Sequence, residues 1–395
     1  MKICFYCDTI FTFGGVQRVL AVIAKELSKE HDITILTLDN PSLENTTMYG
    51  LSSANIKYIY LQYPQIPSYK NIPCKAYSLL YKTILPQNKL FSKWYGYSSF
   101  PHTQRSLLIK TLNQGNYDVV VGVHVFLSFH LASIKKQIKA KTIGWMHNSY
   151  DAFFSIKTSY VGKQKNQFKH LMPELDKIIV LSKYDQERFL KELNVQTEVI
   201  YNPLTIEPKG KGSPEHKKFL AIGRFSPLHK GFDILINAFA LFAKQNQDWT
   251  LDIVGEGPEE EMLRSLISKH QLEKRVTIYP FTKDVEKHYE SASVYVLSSR
   301  WEGFGLVLVE AMSYGLPIIS SYLPVTKELL EGKNVGVFFE NGNVADLAEK
   351  LLSITQNNNL ETMSYNAIEY SKQFHIANIY KRWEHLLLNK ETKWN

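Results

Sequence analysis

The stretch Ser298-Ser-Arg-Trp-Glu-Gly-Phe-Gly-Leu-Val-Leu-Val-Glu-Ala-Met312 holds the residues best suited to chemistry. An apolar run ends at Leu297, a loop with Gly303 and Gly305 follows, and a helical pattern begins near Leu306. Backbone N–H groups at a helix start, approached closely past glycine, make an anion site suited to a diphosphate. Glu302 in the loop and Glu310 just over one turn into the helix bring two carboxylates to that place at different depths. Two carboxylates do not help bind a phosphate. They suit sugar hydroxyls, one a ribose and one a transferred hexose. An exposed loop glutamate and a glutamate favoured by the helix macrodipole would give the same pattern.

Ala221-Ile-Gly-Arg-Phe-Ser-Pro-Leu-His-Lys-Gly-Phe-Asp233 again joins a strand end to a helix start. Arg224 and Lys230 there suit the neutralisation of a diphosphate leaving group, although a solvated basic loop reads the same way. Gly255-Glu256-Gly-Pro258 is a strand-to-helix turn that can lie against a nucleobase. Phe13-Gly14-Gly15-Val-Gln-Arg18 sits where paired glycines let backbone approach a ligand. It is not G-x-G-x-x-G, which disfavours a dinucleotide enzyme. His124 follows one β run, and Trp145-Met-His147-Asn148 follows the next. The sequence contains no D-x-D, H-E-x-x-H, G-x-S-x-G or P-loop Gly-Lys-Ser/Thr; no metal site is expected, and no cofactor.

These residues need strands that stop beside one another. Apolar β runs at 2–7, 32–38, 56–61, 118–123, 141–143 and 177–181 alternate with helical patterns, so the first half reads as a parallel sheet covered by helices. The polar stretch 208–218 reads as a linker. Alternation restarts at 219–222 and continues through 250–254, 276–279, 294–297 and 318–320. Two doubly wound α/β domains in tandem are expected, divided as 1–204 and 205–373. Sheets of this kind bind ligands at the carboxyl ends of their strands, where strand order reverses. Two such domains face to face make one cleft.

Composition narrows the class. The chain has 395 residues, 46 Lys and Arg, 38 Asp and Glu, and three cysteines. Residues 45–117 hold no acid and eight bases, Lys57, Lys70, Lys75, Lys82, Lys89, Lys93, Arg105 and Lys110, which is the whole excess of +8. Within 69–110, Leu79, Leu80, Leu90, Phe91, Trp94, Tyr95 and Tyr97 lie among those lysines. Such a segment suits an anionic membrane surface, and equally a solvated insertion whose aromatics complete the core. The amino terminus lacks the apolar core of a secretory signal. The longest apolar stretch, 119–134, is too short to span a bilayer. A cytoplasmic location is expected, either free or peripheral on the inner face of the plasma membrane. Cys4 and Cys7 fall in a β run and read as packed thiols.

Taken in order, these motifs resemble the retaining glycosyltransferases of family 4, which have the GT-B fold of two Rossmann-like domains facing each other across a cleft. The resemblance covers nearly the whole chain. Glu302-x7-Glu310 with Gly-Phe-Gly between, continuing to Pro317-Ile318, is its most specific part; Gly14-Gly15, Tyr201-Asn202-Pro-Leu204, Arg224 with Lys230, Gly255-Glu256-Gly-Pro258 and Val335-Gly-Val337 support it. It implies that Arg224 and Lys230 clamp a nucleotide diphosphate and that Gly305 and Leu306 supply N–H groups. Glu310 would hold the ribose, Glu302 the hexose, Gly15 would approach phosphate and sugar, and His124 would lie near the sugar. Asn202 and Phe304 come with these motifs. Trp145-Met-His147-Asn148 looks like capsular-polysaccharide galactosyltransferases. The family usually closes with a helix that returns to the first domain, a role that 374–395 fits. Arg224 and Lys230 are six apart where the family loop is commonly one residue shorter, so Pro227-Leu228-His229 must bulge.

The implied activity is metal-independent transfer of galactose, glucose or N-acetylhexosamine from a nucleotide diphosphate sugar, UDP-sugar by family frequency. The acceptor would be a glycan or lipid-linked sugar in surface polysaccharide biosynthesis. A catalytically silent nucleotide-sugar binder would carry the same residues. A single-stranded nucleic-acid binder would use the basic segment 45–117 but leaves Glu302 and Glu310 unexplained, so nucleic acid is not expected as a partner.

Overall fold

The computed structural model describes residues 1–155, 161, 164–356 and 359–388. The chain divides into two compact units, Met1–Pro203 with the segment from Ile376, and Leu204–His375.

The first unit is built on seven parallel strands: β1 (Lys2–Cys7), β2 (Asp32–Thr37), β3 (Ile56–Tyr60), β4 (Val119–Val123), β5 (Lys141–Trp145), β6 (Lys177–Val180) and β7 (Glu198–Val199), in the order β3-β2-β1-β4-β5-β6-β7. After its first residue β1 is buried throughout, and β4 is buried at every position. Near-continuous apolar runs are what a sheet covered on both faces requires. Strand order reverses between β1 and β4, so Gly14 and Gly15 after β1 and His124 after β4 leave the sheet at neighbouring strand ends. Cys4 and Cys7 are buried free thiols. Helix Ile376–Leu387 belongs to this unit: Trp383 packs edge-on against Phe5 and Trp145 at 6.1 and 4.8 Å, and Lys141 donates to the Leu386 carbonyl at 2.9 Å. Residues 389–395 of the expected closing helix lie outside the described residues.

Between β3 and β4 the chain forms helices Ser68–Thr83, Lys89–Ser99 and His102–Gly115. Their inner faces close on Tyr81, stacked on Tyr95 at 4.5 Å, with the Tyr81 hydroxyl 2.7 Å from Ser92. Their outer faces leave Tyr69, Ile72, Leu79, Leu80, Leu90 and Trp94 exposed, as is Ile84 just past the first helix. The segment therefore divides its aromatics between core and surface. Among the described residues no helix is long and apolar enough to cross a membrane.

The second unit has six parallel strands: β8 (Lys218–Ile222), β9 (Thr250–Val254), β10 (Val276–Tyr279), β11 (Val294–Leu297), β12 (Ile318–Ser321) and β13 (Gly336–Phe339), ordered β10-β9-β8-β11-β12-β13. Its reversal lies between β8 and β11, the strands that feed the Arg224–Lys230 and Glu302 loops. The polar stretch 208–218, expected to be a linker, belongs to this unit. Gly212 donates to the Tyr314 carbonyl and Ser213 to that of Ala292. A Cβ at Gly212 would sit 2.6 Å from the Ala292 oxygen, so glycine here permits docking rather than flexibility.

Candidate functional site

In the second unit, the loops after β8 and β11 are fastened together at several points. Ser298 donates to the Lys230 carbonyl at 2.9 Å, and the Arg300 N–H donates to the His229 carbonyl at 2.8 Å. Arg300 forms a two-pronged pair with Asp233 at 2.9 and 2.7 Å, the arrangement that fixes orientation as well as charge. Gly231, at φ 63°, lets the chains approach: a Cβ there would lie 2.1 Å from the Ser298 carbonyl oxygen.

That stitching brings Lys230 and Glu302 into contact at 2.6 Å, with side chains only 15% and 7% exposed. Ser299 donates to the same Glu302 oxygen at 2.6 Å. Burial raises the Glu302 carboxyl, but Lys230, His229 and the hydrogen bonds from Lys230 and Ser299 outweigh it and hold the group below the usual carboxylate range. Arg224 is exposed and makes no ion pair with the described residues. The chain between Arg224 and Lys230 turns back on itself. His229 N–H donates to the Ser226 carbonyl at 3.2 Å, closing a turn in which Leu228 takes φ 58° and is 60% exposed. A left-handed leucine costs roughly 1–2 kcal/mol, a strain that the surrounding loop contacts must hold.

Gly305, at φ 82° and ψ 53°, caps helix Leu306–Ser313. Glu310 on that helix is 2% exposed. One of its oxygens accepts from Thr205 at 2.8 Å and the other from Tyr289 at 3.0 Å. The Phe304 ring packs edge-on against Phe374 at 6.0 Å and is 3% exposed, so the ring is part of the unit's interior. The turn after β9 lies on the loop after β8: a Cβ at Gly255 would sit 2.0 Å from the Gly223 oxygen, and Phe225 N–H donates to the Glu256 carbonyl at 2.8 Å. The Glu256 side chain is exposed.

In the first unit, His124 has φ 83° and ψ 158°, a region that is essentially glycine-only and costs other residues about 1–3 kcal/mol. It is held there by its N–H on the Trp145 carbonyl at 3.0 Å and by Ser128, whose N–H and hydroxyl both donate to the His124 carbonyl at 3.1 and 2.9 Å. Burial pushes its imidazole down to about 4. His147 is pushed well below its ordinary value, first by burial and then by the charge of His124. Both rings are neutral near pH 7 and lie close enough to interact. His147 Nε2 and the Asn202 Oδ1 are buried without a hydrogen-bond partner among the described residues. Asn148 accepts from the Ser149 N–H at 3.2 Å. The Gly14 N–H donates to the Tyr49 hydroxyl at 3.1 Å, and exposed Gly15 opens helix Gly15–Leu27.

Sequence reasoning missed Ser299, Thr205 and Tyr289, which hold the two glutamates, and the His229–Trp301 contact. Among the described residues no group of three or more His, Cys, Asp or Glu is placed to hold a metal ion.

Comparison with known proteins agrees with this architecture. The family described as Glycosyltransferase Family 4 matches residues 13–207, and Glycosyl transferases group 1 matches residues 205–373. An uncharacterized glycosyltransferase of Haemophilus influenzae is 30% identical over 393 residues, covering 98% of this chain and 99% of that one. The poly(glycerol-phosphate) alpha-glucosyltransferase of Bacillus subtilis is 24% identical over 261 residues, 64% of this chain and 38% of that protein. The crystal structure of Anabaena HepE in complex with UDP and glucose is similar with a TM-score of 0.73 at 20% identity, covering 99% of this chain and 100% of that one.

Proposed function

The chain belongs to glycosyltransferase family 4 and has the GT-B fold, and we propose that it transfers a hexose from a UDP-sugar to a hydroxyl of a glycan or lipid-linked acceptor in surface polysaccharide synthesis, with retention of anomeric configuration. The observation that carries this reading is the buried Lys230–Glu302 pair, set between two loops at the strand reversal of the second unit. The UDP and glucose in the HepE complex and the glucosyltransferase name of the Bacillus subtilis relative support the donor class.

In this reading residues 205–373 hold the nucleotide sugar and residues 1–204, with the closing helix, hold the acceptor. Arg224, Lys230 and the N–H groups of Gly305 and Leu306 stabilise the negative charge that develops on the departing diphosphate, the largest rate term in such sites. These cations do the work that a divalent ion does elsewhere, so EDTA leaves turnover unchanged. Glu302 accepts from hexose hydroxyls, and Glu310 uses a remaining lone pair for the ribose. Gly255 and Glu256 present backbone to the base. Gly14 and Gly15 approach the donor phosphate, while His124, His147, Asn148 and Asn202 face the sugars. The acceptor oxygen bonds to the anomeric carbon on the face that the diphosphate leaves. The bond from that carbon to the phosphate oxygen breaks, and the acceptor proton passes to that oxygen.

Residues 69–110 dock on an anionic membrane that carries the acceptor. Exposed Ile72, Leu79, Leu80, Leu90 and Trp94 stand beside exposed Lys75, Lys82, Lys89 and Lys93, with no acid from 45 to 117 to oppose them. Flotation with phosphatidylglycerol vesicles tests this; failure to float removes the membrane from the account.

The experiment for the function is a thermal-shift panel of UDP-, GDP- and ADP-sugars, followed by transfer assays with whichever donor binds. A donor at 100 times its Kd stabilises the fold by about 2.7 kcal/mol. Absence of a shift with every donor defeats the reading.

A further inference from the structure

The exposed turn between Arg224 and Lys230 needs an anchor. Such a turn, on its own, has freedom that would spread Lys230 over many positions. His229 supplies the contacts that remove this freedom. Its ring stacks on Trp301 at 4.7 Å with an interplanar angle of 12°. Its Nε2 lies 3.0 Å from the Trp301 carbonyl oxygen. A carbonyl only accepts, so Nε2 carries the proton and the neutral ring has one tautomer. Its own carbonyl accepts the Arg300 N–H from the same opposing loop. His229 and Trp301 each immediately precede one member of the Lys230–Glu302 pair, so the stack holds the two backbones in register at that pair. The strained Leu228 just before His229 is the conformation this register demands.

We propose that His229 is a positioning residue of the donor site: its stack and hydrogen bond on Trp301 fasten the two loops and set Lys230 and Glu302 for the diphosphate sugar. The inference rests on the donor reading above. It differs from that reading in assigning the precision of the clamp to a residue that touches no substrate.

A double-mutant cycle read by calorimetric titration of UDP tests it. His229→Ala weakens UDP binding about tenfold in the otherwise native protein and less than twofold in the Lys230→Ala background, because contacting residues that act as a unit are not additive. His229→Phe, which keeps a ring on Trp301, loses less than His229→Ala. A general lesion in the fold would instead weaken binding equally in both backgrounds, and that result overturns the inference, as does an unaltered affinity in His229→Ala or a His229→Phe variant no better than alanine. A wild-type protein that binds none of UDP, GDP or ADP overturns the donor reading itself and this inference with it.

Discussion

Replacing Glu302 with Gln removes the charge of one partner of the buried pair without removing volume. With the side chains 15% and 7% exposed and 2.6 Å apart, the substitution leaves the Lys230 ammonium without its counter-charge. Removing one partner of a buried pair costs about 3–5 kcal/mol; glutamine can still accept from Ser299 and Lys230, which places the expected loss near about 3 kcal/mol. For a unit of this size that lowers Tm by roughly 6–12 °C. The loss depends on pH in a defined direction. The folded carboxyl lies below the ordinary range, so its contribution is present above the unfolded value of about 4.3 and disappears as pH falls through the folded value. The gap between wild type and Glu302→Gln therefore closes in acid. UDP gives the second readout. It brings the diphosphate that Lys230 now lacks as a partner, so UDP binds Glu302→Gln about tenfold tighter than wild type, roughly 1.4 kcal/mol. Transfer, which needs the hexose contact, falls about 100-fold. Differential scanning fluorimetry across pH and calorimetric titration of UDP make both measurements. A variant that is destabilised but binds UDP no more tightly refutes the claim that Lys230 serves the diphosphate.

At His124 the backbone conformation suits glycine, so His124→Gly should be more stable than His124→Ala by about 1–3 kcal/mol, read by urea unfolding, with transfer impaired in both; equal stabilities would remove the argument from strain. Gly231→Ala drives a Cβ to 2.1 Å from the Ser298 carbonyl; a loss above about 3 kcal/mol is expected, together with weaker UDP binding, and normal melting would contradict the stitched loops. His130 accepts or donates at 2.9 Å to Tyr6, stacks on Phe100, and is pushed by burial down to about 4. Its neutral form contributes stability that is intact above about 6.5 and is lost as pH falls toward 4, up to about 3 kcal/mol. His130→Phe should therefore show a shallower decline of Tm over that window, and an unchanged slope would show that His130 does not titrate there.

Most strands and the start of the helix that carries Glu310 were legible because each depends on local pattern: buried parallel strands are continuously apolar, and Gly305 marks a helix start by its position; the strand order, and with it the reversal points, depends on long-range pairing and was not. The pairing of Lys230 with Glu302 was not, since it joins residues 72 apart through loops that sequence does not orient. Lys230 read as a partner for phosphate, and the structure pairs it with a carboxylate. Glu310 read as a donor ligand, yet Thr205 and Tyr289 already occupy both of its oxygens. Composition misled at 208–218, where Pro, Gly and Lys suggested a linker but Gly212 docks tightly on its own unit. Phe304 shows the same limit: its place in the motif was evident, while the direction of its ring came only from packing on Phe374. The strain at His124 leaves no mark in sequence at all.

The proposed transfer of a hexose from a nucleotide diphosphate to a sugar hydroxyl, with protein cations taking the leaving charge, is tested by product analysis by NMR after incubation with UDP-glucose, UDP-galactose or UDP-N-acetylglucosamine, a lipid-linked glycan extract and EDTA. A glycosidic product with the donor's anomeric configuration, in undiminished yield with EDTA, is expected. An inverted product, or transfer abolished by EDTA and restored by a divalent ion, would contradict it.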